Sequence, residues 1–256
     1  MRDGRDARFS YWYLGLDLGQ MNNYTALAVA EEPVWIGDPA GTINETALWP
    51  AGRRGWVSAT ELLPVQVEHF RARTYAGHRP HRPPLYLRHL ERLRHVSYSV
   101  IVQQVADLLK TPPLVGGSYV LLVDSTGVGR AVFDQLAQLD LGPTGITITG
   151  GTATHATPDG GWNVPKRDLI TSTQIMLQDG RLRIAGGLEH AATLTKELAD
   201  YRVKISATGH DSYEARSGQH DDLVLAASLV CWWRDFYWRH YDHEAERTKQ
   251  PREVYS

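Results

Sequence analysis

The chain of 256 residues has a single cysteine, Cys231, so no internal disulfide can form, which fits a reducing compartment. No window approaches the roughly 18 unbroken apolar residues of a membrane span, and no membrane partner is expected. The opening residues, Met1-Arg2-Asp3-Gly4-Arg5-Asp6, lack the apolar core of a secretion signal. No Gly-x-x-x-x-Gly-Lys-Ser/Thr phosphate loop occurs, so ATP-driven motor chemistry of that kind is not assigned to this chain. Internal repeats are missing too. Net charge is small: 27 Lys and Arg against 29 Asp and Glu leave −2, which argues against a general polyanion binder.

Hydrophobic residues make up 42% of the chain, enough for a sizeable core. No convincing linker divides it, so one domain over 1–256 is expected, with flexible tails at 1–10 and 244–256. Charge is unevenly placed. Between Glu68 and His95 lie Arg71, Arg73, Arg79, Arg82, Arg88, Arg92 and Arg94, against only Glu68 and Glu91. That is either a solvated surface loop or a face that grips a phosphate backbone, with Arg79 and Arg82 the candidate contacts.

The stretch Tyr13 to Gln20 reads as an apolar strand with one carboxylate, Asp17, set into it and a sharp turn at Gly19. A second apolar run, Tyr24 to Ala30, suits a hairpin partner. Residues Glu31 to Gly55 read as a loop, Trp56 to Leu63 as an edge strand, and Leu85 to Leu93 as an apolar stretch of unsettled type. Ser97 is placed to cap a helix with Ile101, Val105, Leu108 and Leu109 on one face, stopped at Thr111-Pro112-Pro113. Tyr119 to Val123 has the continuous apolar character of a buried parallel strand, ending at Asp124. A helix with Val132, Phe133, Leu136 and Leu139 and a short strand, Ile146 to Thr149, complete a βαβ unit.

Gly150 to Val164 reads as a polar loop leading into a helix that begins at Pro165 and carries Leu169, Ile170, Thr173, Met176 and Leu177. Gly180 ends it, and Leu182 to Ile184 is a short strand. A further helix carries Leu194 and Leu198, with an extended piece from Tyr201 to Ser206 and a loop from Ala207 to Gln219. The last helix starts at Asp221-Asp222 and is apolar on nearly every face through Cys231. The expected architecture is α/β: a mixed sheet, with antiparallel N-terminal hairpins and then parallel strands, flanked by helices.

Three acidic positions stand at element ends: Asp17, Asp124 and the pair Asp221-Asp222. Each has an ordinary structural role open to it, as a turn cap, a helix cap or a favourable charge at a helix N-terminus. If the strands of Asp17 and Asp124 are parallel neighbours, both carboxylates emerge at one sheet end, where ligands of α/β sheets collect. Bringing Asp221-Asp222 there makes a carboxylate cluster whose mutual repulsion a hard divalent cation would relieve. Two such ions, Mg²⁺ or Mn²⁺, could stabilise both oxygens of an in-line phosphodiester displacement.

The succession Gly15-Leu16-Asp17, Val123-Asp124-Ser-Thr-Gly127-Val-Gly129, Lys166-Arg167-Asp168-Leu169-Ile170 and His220-Asp221-Asp222-Leu223-Val224-Leu225-Ala226 resembles the nuclease domain of phage large terminase subunits. The likeness runs from about Tyr13 to Trp233, and the His-Asp-Asp-Leu-Val-x-Ala ending is its most specific part. It implies a ribonuclease-H-like, metal-dependent endonuclease that cuts concatemeric double-stranded phage DNA in the cytoplasm of the infected bacterial host. Asp17, Asp124, Asp221 and Asp222 would be metal ligands, Asp222 the favoured shared one, with Lys166 near the scissile phosphate and Arg167 beside it on the DNA. An ATPase motor domain or subunit, the small terminase subunit and the portal would be partners; this stretch is then a nuclease separated from its motor, or a stand-alone relative. Rival readings are a junction-resolving or other ribonuclease-H-like nuclease, an actin-like ATPase, which also begins Asp-x-Gly, and a catalytically silent nucleic-acid-binding module.

Overall fold

Strand β1 (Ala7–Asp17) alternates between two cores. Tyr13 joins one, while Leu14 and Leu16 join the other on the opposite face of the sheet. The computed structural model describes residues 7–19, 23–36, 84–200, 202–205, 211–214 and 221–249. Within these, β1 forms an antiparallel hairpin with β2 (Tyr24–Ile36), and β2 pairs antiparallel with β3 (Leu85–Arg94). Helix α1 (Tyr98–Leu109) follows, then β4 (Ser118–Asp124), α2 (Gly129–Gln138) and β5 (Pro143–Thr149). β4 lies parallel to both β1 and β5, which makes the expected βαβ unit.

Beyond it come β6 (His155–Ala156), β7 (Trp162–Pro165), α3 (Lys166–Gln178), β8 (Leu182–Ile184) and α4 (Ala191–Asp200). A separate antiparallel pair, β9 (Arg202–Ile205) and β10 (Asp211–Glu214), precedes the long helix α5 (Asp222–Lys249). Among the described residues the main sheet has eight strands, in the order β6-β7-β5-β4-β1-β2-β3-β8. It is mixed, with antiparallel N-terminal hairpins and parallel strands after them, as expected.

One face is covered by α1 and α2, through Ile101, Val105, Val132 and Leu136. The other carries α3 and α5, through Leu169, Met176 and the run Leu223 to Trp232. Small residues let α5 sit close against the strands: Gly15, Ala26 and Ala28 line its seat. A methyl group at Gly15 would overlap the Ala226 carbonyl. Cys231 is buried and free, and burial pushes its thiol up to about 12.

Several boundaries differ from the sequence reading. Glu31 to Ile36 belong to β2 and not to a loop, because the acidic residues find partners inside the sheet. Glu31 accepts from Ser10 Oγ (2.6 Å) and Arg88 Nε (2.8 Å), and Glu32 accepts from Tyr13 Oη (2.7 Å) and Arg234 (2.9 Å). The stretch Gly150 to Val164 contains β6 and most of β7, which its polar composition concealed. Pro165 closes β7, and the helix starts one residue later at Lys166. β10 lies within the expected Ala207–Gln219 loop. Regular structure reaches into both expected tails, since β1 starts at Ala7 and α5 continues to Lys249. The proposed strand Trp56–Leu63 and the basic residues Arg79 and Arg82 lie outside the described residues.

Candidate active site

Register alone lines up the site. Asp17 is the partner of Ala26 on β2, and Ala26 is the partner of Arg92 on β3. On the other side, Leu16 pairs with Val123, so the next position brings Asp124 beside Asp17. Asp124, Asp17, Ala26 and Arg92 thus form one row across four adjacent strands. The row faces α5: Gly15, two residues before Asp17, meets Ala226 of that helix, and Leu122, two before Asp124, belongs to the same core. The small side chain of Ala26 leaves room in the middle of the row, where the start of α5 brings Asp221 and Asp222.

Local contacts hold each carboxylate. The Asp124 side chain accepts from the Thr126 amide at 2.8 Å, a turn that closes the strand. Thr126 Oγ1 in turn accepts from the Ile148 amide (2.9 Å), and the Ser125 amide donates to the Ile146 carbonyl (2.9 Å), so the Asp124 loop is fastened to β5. Gly129 permits this fold-back, since a Cβ there would overlap the Asp124 carbonyl. The Gly19 amide donates to Thr25 Oγ1 (3.2 Å), which fixes the turn after Asp17.

Electrostatically the cluster is strained. Burial pushes the Asp17 carboxyl well above the usual carboxylate range, and Asp124, Asp222 and Asp221 add to this by repulsion. Asp124 is raised too, chiefly by burial, with hydrogen bonds from Thr126 and Asp17 opposing the shift. Both shifts have the same origin: burial disfavours ionisation of either carboxyl, and Asp17 has the other acids close by as well. Two cations flank them: Lys166 Nζ lies 2.9 Å from Asp221 Oδ2, and Arg92 lies 2.7 Å from Asp222 Oδ2.

The sequence-predicted residues Asp17, Asp124, Lys166, Asp221 and Asp222 are thus brought together at the carboxyl ends of β1 and β4. Among the described residues, no three His, Cys, Asp or Glu side chains stand in a ready-made metal-ligand group. In this arrangement Asp221 is engaged by Lys166 and Asp222 by Arg92. The donor set itself is all carboxylate oxygen, which is the chemistry of Mg²⁺ and Mn²⁺ and unsuited to soft ions. Arg167 sits next to the cluster in sequence, but its guanidinium is turned to the Thr152 carbonyl (2.6 Å) and Asp168 (3.4 Å).

No protein-family model matches the chain. In sequence it is similar to the large terminase subunits of Thermus phage G20c and Thermus virus P23-45, 24% identical to each over 141 residues. That stretch is 55% of this chain and 25% of either relative, so the chain spans about a quarter of the length of the curated relatives it matches. In three dimensions it is similar to the large terminase nuclease of thermophilic phage G20c. A crystal structure of that protein with bound cobalt matches at a TM-score of 0.51 with 16% identity, covering 90% of this chain and 88% of that one. One with bound magnesium matches at 0.50 with the same identity and coverage. The fold is that of a large terminase nuclease.

In this ribonuclease-H-like terminase-nuclease fold, the sequence reading missed three side chains of the site. In the sequence Arg92 is one member of a basic stretch, yet it reaches Asp222, Glu197 (3.1 Å) and the Tyr24 ring (3.9 Å from its centroid). Glu197 of α4 and Tyr24 of β2 carried no motif at all. A signal for Arg92 did exist: it follows Leu90 at strand spacing on a core-facing side, where a guanidinium requires carboxylates. On the opposite face of the sheet, a cavity of about 440 Å³ behind the Gly19 turn is lined by Leu93, Val96, Tyr98 and Ile101 and holds none of the acidic residues.

Proposed function

We propose that the chain is a divalent-metal-dependent DNA endonuclease of the phage terminase type, cutting concatemeric double-stranded DNA by two-metal phosphodiester hydrolysis. The observation that carries this is the row Asp124–Asp17 meeting Asp221-Asp222 and Lys166 at the carboxyl ends of β1 and β4, within a terminase-nuclease fold. Two carboxyls whose ionisation burial opposes, with two more acidic groups beside them, form a site that a hard cation would relieve. The metal-bound structures of the similar phage nuclease support the same reading.

Asp17 and Asp124 would hold Mg²⁺ or Mn²⁺ from the sheet, and Asp221 and Asp222 from the helix start. When bound, such ions activate water as the nucleophile and stabilise the departing oxygen. Lys166, a quarter exposed and already poised against Asp221, would exchange that carboxylate for a phosphate oxygen of the DNA and orient it. The buried seat of α5 under the cluster keeps the carboxylates from spreading apart. Packaging partners, a motor ATPase, the small terminase subunit and the portal, and action in the cytoplasm of the infected bacterium belong to the same proposal.

The test is plasmid cleavage. With Mg²⁺ or Mn²⁺ and no ATP the purified chain should nick or linearise supercoiled plasmid, and EDTA should stop it. Asp17→Ala and Asp124→Ala should lower cutting by at least about 100-fold while circular dichroism stays native. ATP hydrolysis by a wild-type protein that leaves DNA whole would establish the actin-like alternative instead.

A further inference from the structure

Resting on the site just proposed, one side chain outside the carboxylate set has the geometry to control it. Arg92 donates to Asp222 Oδ2 at 2.7 Å and lies 3.1 Å from Glu197 Oε1, with its guanidinium carbon 3.9 Å from the Tyr24 ring centre. All three charged side chains are nearly closed off from solvent, at 13%, 9% and 8% exposure for Arg92, Asp222 and Glu197. The Glu197 Oε1 contact is an ion pair without a hydrogen bond, while its other oxygen accepts from the Val224 amide at 3.3 Å. That amide belongs to the first turn of α5, so the contacts close a loop: β3 to Asp222, along α5 to Val224, to Glu197 of α4, and back to Arg92.

Stability alone gives a poor account of this arrangement. Withdrawing three charges from water costs several kcal/mol per ion, and apolar replacements of such networks are often neutral or better. Moreover, Arg92 Nε is buried with no hydrogen-bond partner among the described residues, a cost that tight packing alone would avoid. What the network supplies is direction. An aspartate at the first position of a helix has several rotamers open to it, and Arg92 with Glu197 selects one. One guanidinium nitrogen, Nη2, meets both carboxylates, while the guanidinium plane lies over the Tyr24 ring, a stacking that an ammonium cannot reproduce.

We infer that Arg92 is a positioning residue for the nuclease site: braced by Glu197 and Tyr24, it sets the direction of the Asp222 carboxylate and the docking of the start of α5 beside Asp17. It touches neither DNA nor reacting atoms. Its effect is on how tightly the carboxylates hold a divalent ion, because the partners of a ligating group set that group's orientation.

The experiment measures Mn²⁺ binding by the metal-free chain, using calorimetry and the electron paramagnetic resonance signal of free Mn²⁺, beside plasmid nicking at graded Mn²⁺. In Arg92→Lys the Mn²⁺ affinity should fall about 10- to 100-fold. The Mn²⁺ needed for half-maximal nicking should rise by a similar factor, and the rate at saturating Mn²⁺ should recover to within a few-fold of wild type. Rescue by excess metal is a readout that general loss of fold would not give. Glu197→Gln, which leaves Arg92 and Asp222 intact, should shift affinity in the same direction by less, and serves if Arg92→Lys does not fold. Wild-type affinity in whichever of the two variants fold, with binding lost in Asp17→Ala, overturns the role of Arg92 and leaves the site standing. Absence of Mn²⁺ binding by the wild type overturns both.

Discussion

Asp17 sets the terms at the level of single residues. Its carboxyl is buried and lies among three other acids, so it binds a proton more tightly in the folded chain than in the unfolded one. Asp124 behaves likewise, and burial pushes Glu197 up to about 7. For an acid whose folded pKa is raised, the native state holds the extra proton between the unfolded value, about 3.9 for Asp, and the folded one. Stability therefore falls as pH rises through that window and does not recover above it. Removing the charge should help: in EDTA, Asp17→Asn should have a Tm a few °C above wild type at pH 8, and the gain should shrink toward pH 5. Mn²⁺ should raise the Tm of wild type at pH 8 and have little effect on the variant. Thermal scans across pH check all of this, and a lower Tm for Asp17→Asn at pH 8 would contradict the reading that ionising Asp17 costs the folded chain stability.

Among the secondary-structure elements, α5 does the positioning, and two contacts with the sheet place it. Gly15 admits its backbone, and Arg234, fully buried, reaches Glu32 of β2, which also takes the Tyr13 hydroxyl. Gly15→Ala would drive a methyl group into the Ala226 carbonyl, one turn beyond Asp222. Helix and strand must then separate, at a cost of about 1–3 kcal/mol. Cutting should drop further than the lost stability explains, because Asp221 and Asp222 move away from Asp17. Urea unfolding and plasmid assays at a temperature where the variant is fully folded separate the two effects. Unchanged cutting in a destabilised Gly15→Ala would mean that the helix start is placed by something else.

Much of this was readable in the sequence. Tyr13 to Gln20 and Tyr119 to Val123 declare themselves as strands through apolar runs, but the parallel pairing that brings Asp17 to Asp124 enters the sequence reading only as a condition, which the register meets. What escaped notice depends on partners distant in the chain. Glu31 and Glu32 look like loop residues until Arg88 and Arg234 neutralise them from 57 and 202 positions away. Arg92 looks like one more surface arginine until α4 and α5 deliver carboxylates to it. Polar composition likewise hid β6, β7 and β10, whose strand character comes from pairing at sheet edges and not from apolar alternation.

At the scale of the whole molecule, the question is how a chain of net charge −2 would hold a polyanion. The acidic row makes the problem worse, since it repels phosphate wherever a cation does not intervene. On the proposed function binding would be local, through Arg79, Arg82 and Lys166, and would depend on salt as phosphate contacts do. Each phosphate neutralised on duplex DNA contributes about 0.9 to the slope of log affinity against log salt. Arg79→Ala with Arg82→Ala should weaken binding of a short duplex in Ca²⁺, measured by fluorescence anisotropy, and reduce that slope by about 1–2. Lys166→Ala should reduce it by about 1 or less, because part of the Lys166 charge is spent on Asp221. Arg130 offers a control of the same charge, exposed and paired with Asp134 and Asp159 on the α2 side, and Arg130→Ala should leave the slope unchanged. An equal loss from Arg130→Ala and from the Arg79, Arg82 pair would mean that DNA feels only the overall charge, and no basic track leads to the carboxylates.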